Sequence, residues 1–175
     1  MTQFTITQVD AGQLERELDA FAALLHACVH GGASIGFILP HTPDDARHYW
    51  LSKVLPALQA GGVRLLTARR AGQLVGTVQL DHDTPGNGRH RAEVRKLLVP
   101  PSERRQGIGR ALMQAAQEEA RALGRSLLTL DTRTGSEAEP LYLGLGFVQA
   151  GIIPFYCRDA LEDRLDSTTL MYKTL

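Results

Sequence analysis

The 175-residue chain carries 19 basic and 19 acidic side chains, so its formal charge is zero, with 43% apolar and 22% charged residues. That balance lacks the cationic surplus that generic nucleic-acid binding uses to displace phosphate counterions, and no stretch approaches the roughly 20 apolar residues of a membrane span. The length predicts one domain over residues 1–175, able to bury a core without staples. Cys28 and Cys157 lie far apart and form no CxxC pair, which argues for free thiols, no metal site and a cytoplasmic setting.

Met1–Asp10 has no basic start or apolar signal core. Within it, Phe4–Val9 alternates as a half-buried strand. Leu14, Leu18, Phe21, Leu24, Leu25 and Cys28 recur at helical spacing and predict one helix stopping at Gly31–Gly32, where glycine accepts a left-handed cap. The small-residue segment His30–Phe37 has two readings. It is a plain helix–helix loop, or a substrate-facing loop whose backbone approaches a ligand. Thr42 caps the next helix, with Pro43 in its first turn and Asp44 and Asp45 complementing its dipole. Tyr49 and Trp50 belong to the core, and Pro56 should end or kink this helix before Gly61–Gly62.

Three strands follow, Val63–Arg69, Leu74–Leu80 and Ala92–Val99, the first two joined by a hairpin at Ala71–Gly72. Asp81–Arg91 is a polar loop in which His82 and His90 are solvated. A long helix then carries Ile108, Leu112, Ala115, Ala116 and Leu123 on its buried stripe and stops at Gly124. Leu127–Leu130 is a short apolar strand, and strand–helix–strand of these lengths predicts a parallel crossover. Ser136–Leu145 predicts a shorter helix. Phe147–Tyr156 and Thr168–Lys173 are final strands around the polar loop Arg158–Ser167.

The strongest chemical signal is Arg104-Arg105-Gln106-Gly107-Ile108-Gly109-Arg110, between a strand and a helix. The first N–H groups of a helix have no partner, and the helix dipole places partial positive charge there. Gly107 and Gly109 remove side chains that would block a phosphate, which makes an anion site suited to a pyrophosphate. The dinucleotide fingerprint is incomplete, since Leu112 stands where its third glycine belongs, and no Gly-Lys-Ser/Thr is present. Arg110 is either a phosphate partner or an exposed helix arginine. Glu93 lies on the strand entering this loop, with Arg95 and Leu97 on the same face by alternation. A partly desolvated carboxylate there has a raised pKa and can act as a base. Asp131 ends the neighbouring parallel strand, where ligands of α/β sheets collect. The plain alternative for each carboxylate is a salt bridge or cap.

The Arg104, Gly107 and Gly109 pattern resembles the pyrophosphate loop of the GNAT acetyltransferases. Leu141-Tyr142-x-x-x-Gly146-Phe147 is similar to that family's Tyr-x-x-x-Gly-Phe, and the element order agrees from end to end. Four segments also resemble the tabtoxin-resistance branch of the family. They are His30-Gly31-Gly32-Ala33-Ser34-x-Gly36-Phe37, Arg91-Ala92-Glu93-Val94-x-Lys96-Leu97, Leu130-Asp131-Thr132-x-x-Gly135-Ser136 and Pro154-x-Tyr156-Cys157. The resemblance implies an α/β (mixed α+β) fold, a central mostly antiparallel sheet with one parallel crossover and flanking helices. It implies acetyl-CoA as co-substrate, no metal, and a small polar amine as acceptor, such as tabtoxin or a related β-lactam compound, hence antibiotic resistance.

For individual residues it implies base roles for Glu93 and Asp131 and a general-acid role for Tyr142. The backbone of Leu97, Leu98 and Val99 would serve the pantetheine arm, and Arg104, Arg105, Gln106, Gly107, Ile108, Gly109 and Arg110 the phosphates. His30, Gly31, Gly32 and Phe37 would face the acceptor. Pro140 departs from the pattern and is expected to disturb the first turn of the helix carrying Tyr142. A protein lysine or N-terminal acceptor, and a non-catalytic coenzyme-A-binding sensor, stay open as alternatives. Exposed C-terminal strand edges permit a homodimer.

Overall fold

The computed structural model describes residues 4–175, so Met1–Gln3 of the N-terminal reading lie outside the described residues. Strand β1 (Thr5–Val9) leads into α1 (Ala11–Arg16) and α2 (Leu18–His30). The single predicted helix is thus two helices, broken at Glu17, whose backbone sits at φ −110° and ψ 18°. The Glu17 carboxylate accepts from Gln13 and from Arg69 at 2.5 Å, a partner on another strand that no local periodicity reports. Helix α2 does end at the predicted glycines. Gly32 takes φ +75°, and Gly32 and Ala33 donate back to Val29 and Cys28.

Helix α3 (Pro43–Tyr49) starts on a capping box between Thr42 and Asp45. Its regular part gives way ahead of Pro56, as the proline predicts. The turn Trp50–Val54 widens to π-helical geometry, and α4 (Leu55–Gln59) continues beyond it. Proline has no N–H to donate, so the ladder loosens there instead of stopping. Trp50 is fully buried, with its ring 5.0 Å from Phe21 and its Nε1 donating to the Phe21 carbonyl at 2.9 Å.

The sheet has seven strands in the order β1-β2-β3-β4-β5-β7-β6. The hairpin β2 (Val63–Arg70) and β3 (Gln73–Asp81) turns on Ala71 at φ 48° and Gly72 at φ 81°, the two positive dihedrals that a tight primed turn requires. Strand β4 (Arg91–Leu98) passes through α5 (Ile108–Ala122) to β5 (Leu127–Arg133), and β4 and β5 are parallel. Every other neighbouring pair is antiparallel. The short α6 (Glu139–Leu143) precedes the last two strands, β6 (Val148–Arg158) and β7 (Leu165–Thr174).

Each face of the sheet has its own core. Ile108, Leu112, Met113 and Ala116 of α5 pack on Ala92, Val94, Leu128 and Leu130. On the opposite face Phe21, Leu25 and Trp50 pack on Leu65 and Leu98. Burying a large apolar side chain contributes about 1.5–3 kcal/mol, so the two layers fix β4 from both sides, while the α5 layer backs β5 through Leu128 and Leu130.

Candidate active site

The site begins with a fault in β4. Its register to β3 runs Thr77↔Leu98 and then Gln79↔Arg95, so β4 carries one extra residue over that stretch. Lys96 lies there at φ +50°, a left-handed conformation uncommon for a side-chain-bearing residue. The bulge reverses the alternation beyond it. Leu97 packs with Ala92 and Val94 against the α5 core, while Leu98 belongs to the opposite layer. The expectation that Leu97 shares the face of Glu93 is therefore incorrect, because one inserted residue moves every later side chain to the other face.

Past the bulge β4 also leaves its parallel neighbour. The pairing runs Arg91↔Leu127, Ala92↔Leu128 and Glu93↔Thr129, and stops. The two strands splay around a cleft of about 950 Å³. Glu93, Lys96, Leu97 and Val99 line one side, Asp131, Thr132 and Tyr142 the other. Gly31–Gly36 line it too, as do Arg104, Arg105 and Gly107–Arg110 around the α5 start.

At one end the α5 start supplies bare backbone. Gly107 is the helix N-cap at φ 83°, preceded by Arg105 at φ 63°. The first intrahelical bond runs from the Ala111 N–H to the Gly107 carbonyl at 3.0 Å, so the amides of Ile108, Gly109 and Arg110 precede the ladder. The two glycines do different work. A Cβ on Gly107 would meet nothing within 4 Å, so its requirement is the positive φ and an open approach. A Cβ on Gly109 would stand 3.3 Å from Leu141, so that glycine lets α6 close on α5. Arg104 donates from Nε to the Val99 carbonyl at 3.2 Å, and Arg110 reaches toward the Gly144 carbonyl at 3.5 Å. Gln106 turns away, accepting from Arg70 at 2.8 Å, and does not line the cleft.

In the middle stand the carboxylates. Burial pushes the Glu93 carboxyl up, Arg95 works against this, and the negative charges of Asp81 and Asp131 add to it. Arg95 is itself paired with Asp81. Asp131 accepts a hydrogen bond from the buried Thr168 hydroxyl at 3.0 Å, which fixes the carboxylate at the mouth of the splay. Tyr142 lies on α6 and is buried, its ring edge-on to Phe147 at 6.0 Å. Burial, and then the charge of Asp131, raise its phenol above the ordinary tyrosine value, so it keeps its proton at any working pH. Pro140 shifts the first turn of this helix, as expected. The helix starts at Glu139 and not at Ser136, and Pro140 falls in its first turn, where no intrahelical donor is needed.

The far end departs most from expectation. Gly31 and Gly32 line the cleft, but His30 does not. His30 points outward, its Nδ1 3.0 Å from the His26 carbonyl and its ring stacked on His26 at 3.9 Å. Phe37 also stays outside the lining, packed edge-on to His41 at 5.0 Å and Tyr49 at 5.2 Å. The Leu98 side chain is core. Residues that the sequence alone did not single out come in instead, namely Ser34, Lys96, Tyr156 and Thr168, joined by Cys157. The one local signal for them was the segmental likeness that included Ser34, Lys96, Tyr156 and Cys157. Cys157 Sγ lies 3.6 Å from the Ser34 hydroxyl. Among the described residues no group of His, Cys, Asp and Glu could hold a metal ion, and no helix is long and apolar enough to cross a membrane.

The description "Acetyltransferase (GNAT) family" belongs to the family model that matches residues 34–147. The chain is 36% identical over 109 residues to a protein of Azospirillum brasilense named IAA acetyltransferase, covering 62% of this chain and 69% of that protein. The structure of a ribosomal-protein-alanine N-acetyltransferase from Brucella melitensis superposes with a TM-score of 0.77 at 26% identity, over 98% of this chain and 99% of that one. The structure of yncA from Salmonella typhimurium, with its cofactor acetyl-CoA, superposes with a TM-score of 0.76 at 21% identity, over 98% and 94%.

Proposed function

The chain belongs to the acetyltransferase (GNAT) family, and from that premise we propose that its cleft carries the acetyl group of acetyl-CoA to the amine of a small polar acceptor. One observation carries the reading. The β4–β5 splay runs without interruption from the free amides at the α5 start to Glu93 and Asp131. A pyrophosphate fits the first end, because Gly107 leaves its approach open and the helix start offers N–H groups and positive dipole. Arg104, Arg105 and Arg110 add charge around it. The bound coenzyme supplies an acyl thioester, already activated toward an amine.

The chain's own groups then handle protons. An acceptor amine is protonated at neutral pH and must lose a proton before its nitrogen can form the new C–N bond. Glu93, raised by burial, is the base for that proton, directly or through a water. Asp131, held by Thr168, orients the ammonium and assists. As the C–S bond breaks, Tyr142 gives its proton to the departing sulfur, and the second amine proton restores it. A phenol whose pKa is raised holds that proton until the thiolate develops. Leu97 and Val99 offer backbone groups along the splayed edge.

Tabtoxin or a related β-lactam amine remains the specific acceptor we propose, with antibiotic resistance as its consequence, on the strength of the four shared segments. A protein acceptor is the second reading, favoured by the likeness to the ribosomal-protein-alanine enzyme. The free cysteines suit a cytoplasmic enzyme, and the outer edge of β6 would serve a homodimer. Calorimetry with acetyl-CoA, followed by thiol release on adding tabtoxin, a panel of amines and N-terminal peptides, tests all of this. Tight binding with release on one small amine supports the proposal, and release on peptides alone supports the second reading. Absence of coenzyme binding overturns both.

A further inference from the structure

We propose that Lys96 is a positioning residue that holds the Gly31–Phe37 loop as the far wall of the cleft, with Gly36 shaped to receive it. The loop needs such a tie. Among the described residues, positions 34–38 make no backbone–backbone hydrogen bond, between Ala33 donating to Cys28 and Leu39 donating to Ala160. Lys96 supplies one, its Nζ donating to the Ile35 carbonyl at 2.5 Å. The same ammonium lies 5.5 Å from the Phe37 ring centre and 5.9 Å from that of Tyr49, close enough for cation–π attraction to both.

Two backbone irregularities meet at this contact. Lys96 stands at φ +50° in the bulge, which carries its side chain off the regular alternation and under the loop. Gly36 stands at φ +85°, and a Cβ there would come within 3.3 Å of the Lys96 Nζ. Strain held at a residue that touches both the cleft and a loop points to a positioning task. Burial and then the like charge of Arg95 lower the Lys96 ammonium below its ordinary pKa, against the opposing pull of Asp131 and Glu93. The carbonyl and the two rings thus replace water around a cation that the fold has drawn inward. The same bond also explains why the lining contains Ser34, Ile35 and Gly36 but not Phe37. Phe37 is turned beneath the ammonium, and the loop's backbone is left facing the cleft.

The role as an acceptor wall rests on the proposed acetyl transfer, whereas the tie itself does not. Backbone ¹⁵N relaxation of the full chain, read on residues 33–38, separates the two. Lys96→Met and Lys96→Gln should each lower the order parameters of that loop from about 0.85 to below about 0.6, with those of α5 and the acetyl-CoA affinity unchanged. With a working acceptor, both variants should raise KM about tenfold and change kcat less than threefold, and Lys96→Arg should recover part of the KM. Loop order parameters equal to wild type in both variants overturn the tie, whether or not any acceptor is turned over. A loosened loop with unchanged KM overturns its role as the acceptor wall. Loss of acetyl-CoA affinity in both variants would make Lys96 a coenzyme contact and overturn the assignment as well.

Discussion

The two ends of the cleft are built in opposite ways. The proposed phosphate end is a contiguous run, Arg104–Arg110, whose working parts are backbone amides at a helix start. The proposed acceptor end is assembled from Gly31–Gly36, Glu93–Lys96, Asp131, Tyr156–Cys157 and Thr168, and it joins loop backbone to side chains from distant segments. Backbone amides are set by local dihedrals, so the first end is robust to changes of side chain and sensitive to changes of φ. Side-chain groups from distant segments depend on register, so one inserted residue at Lys96 decides which of them meet.

That contrast predicts where damage falls. The largest effect belongs to the carboxylates. Glu93→Gln with Asp131→Asn should lower turnover by about 10²–10⁴-fold, the range of a general base, with coenzyme affinity nearly intact. Unchanged rates across a pH profile would remove both from the mechanism. In the wild type kcat/KM should rise as pH climbs through the raised Glu93 pKa, because only the carboxylate accepts a proton. In Glu93→Gln that limb should vanish. Tyr142→Phe comes next, with a loss of about 10²-fold in kcat, seen in chemistry and not in coenzyme binding. Equal rates with phenylalanine would leave the sulfur to take its proton from water.

Gly107→Val strikes the other end. It should weaken coenzyme binding at least tenfold and also cost stability, since a branched residue at φ 83° carries strain of about 1–2 kcal/mol. Calorimetry and a melting curve separate the two contributions, and normal binding would put the pyrophosphate elsewhere. A smaller effect concerns stability alone. The Glu93 pKa is raised on folding, so its ionisation opposes the folded state above that pKa, and the penalty is lost as pH falls through it. Glu93→Gln should therefore melt higher than wild type near neutral pH, with the gain gone below about pH 4. The smallest effect is expected at His30→Ala, whose ring points outward onto His26, with kinetics within about threefold of wild type. A large loss there would show that the loop turns over on binding.

The α5 start was legible because a strand, two glycines and an amphipathic helix are read within a few turns of chain. The parallel crossover, the Ala71–Gly72 hairpin, the Thr42 cap and the Gly32 stop were legible for the same reason. Glu93 and Asp131 could be placed on adjacent strands, since strand order follows from the crossover. What failed was anything set by contact between distant segments. Glu17 breaks a helix to reach Arg69, the residue inserted at Lys96 turns Leu97 to the other face, and Phe37 is drawn onto Tyr49.

By itself, then, the sequence determined the kind of fold and the glycine-bearing start of α5, because periodicity, caps and glycine dihedrals are short-range properties, while the roles proposed for Glu93, Asp131 and Tyr142 were marked by family resemblance. Only the tertiary structure decided that β4 bulges at Lys96, that it parts from β5 after Glu93, and that the loop Gly31–Gly36 closes the far end. Those outcomes depend on how two packed layers settle the register of a strand held between them, and no window along one chain contains both layers.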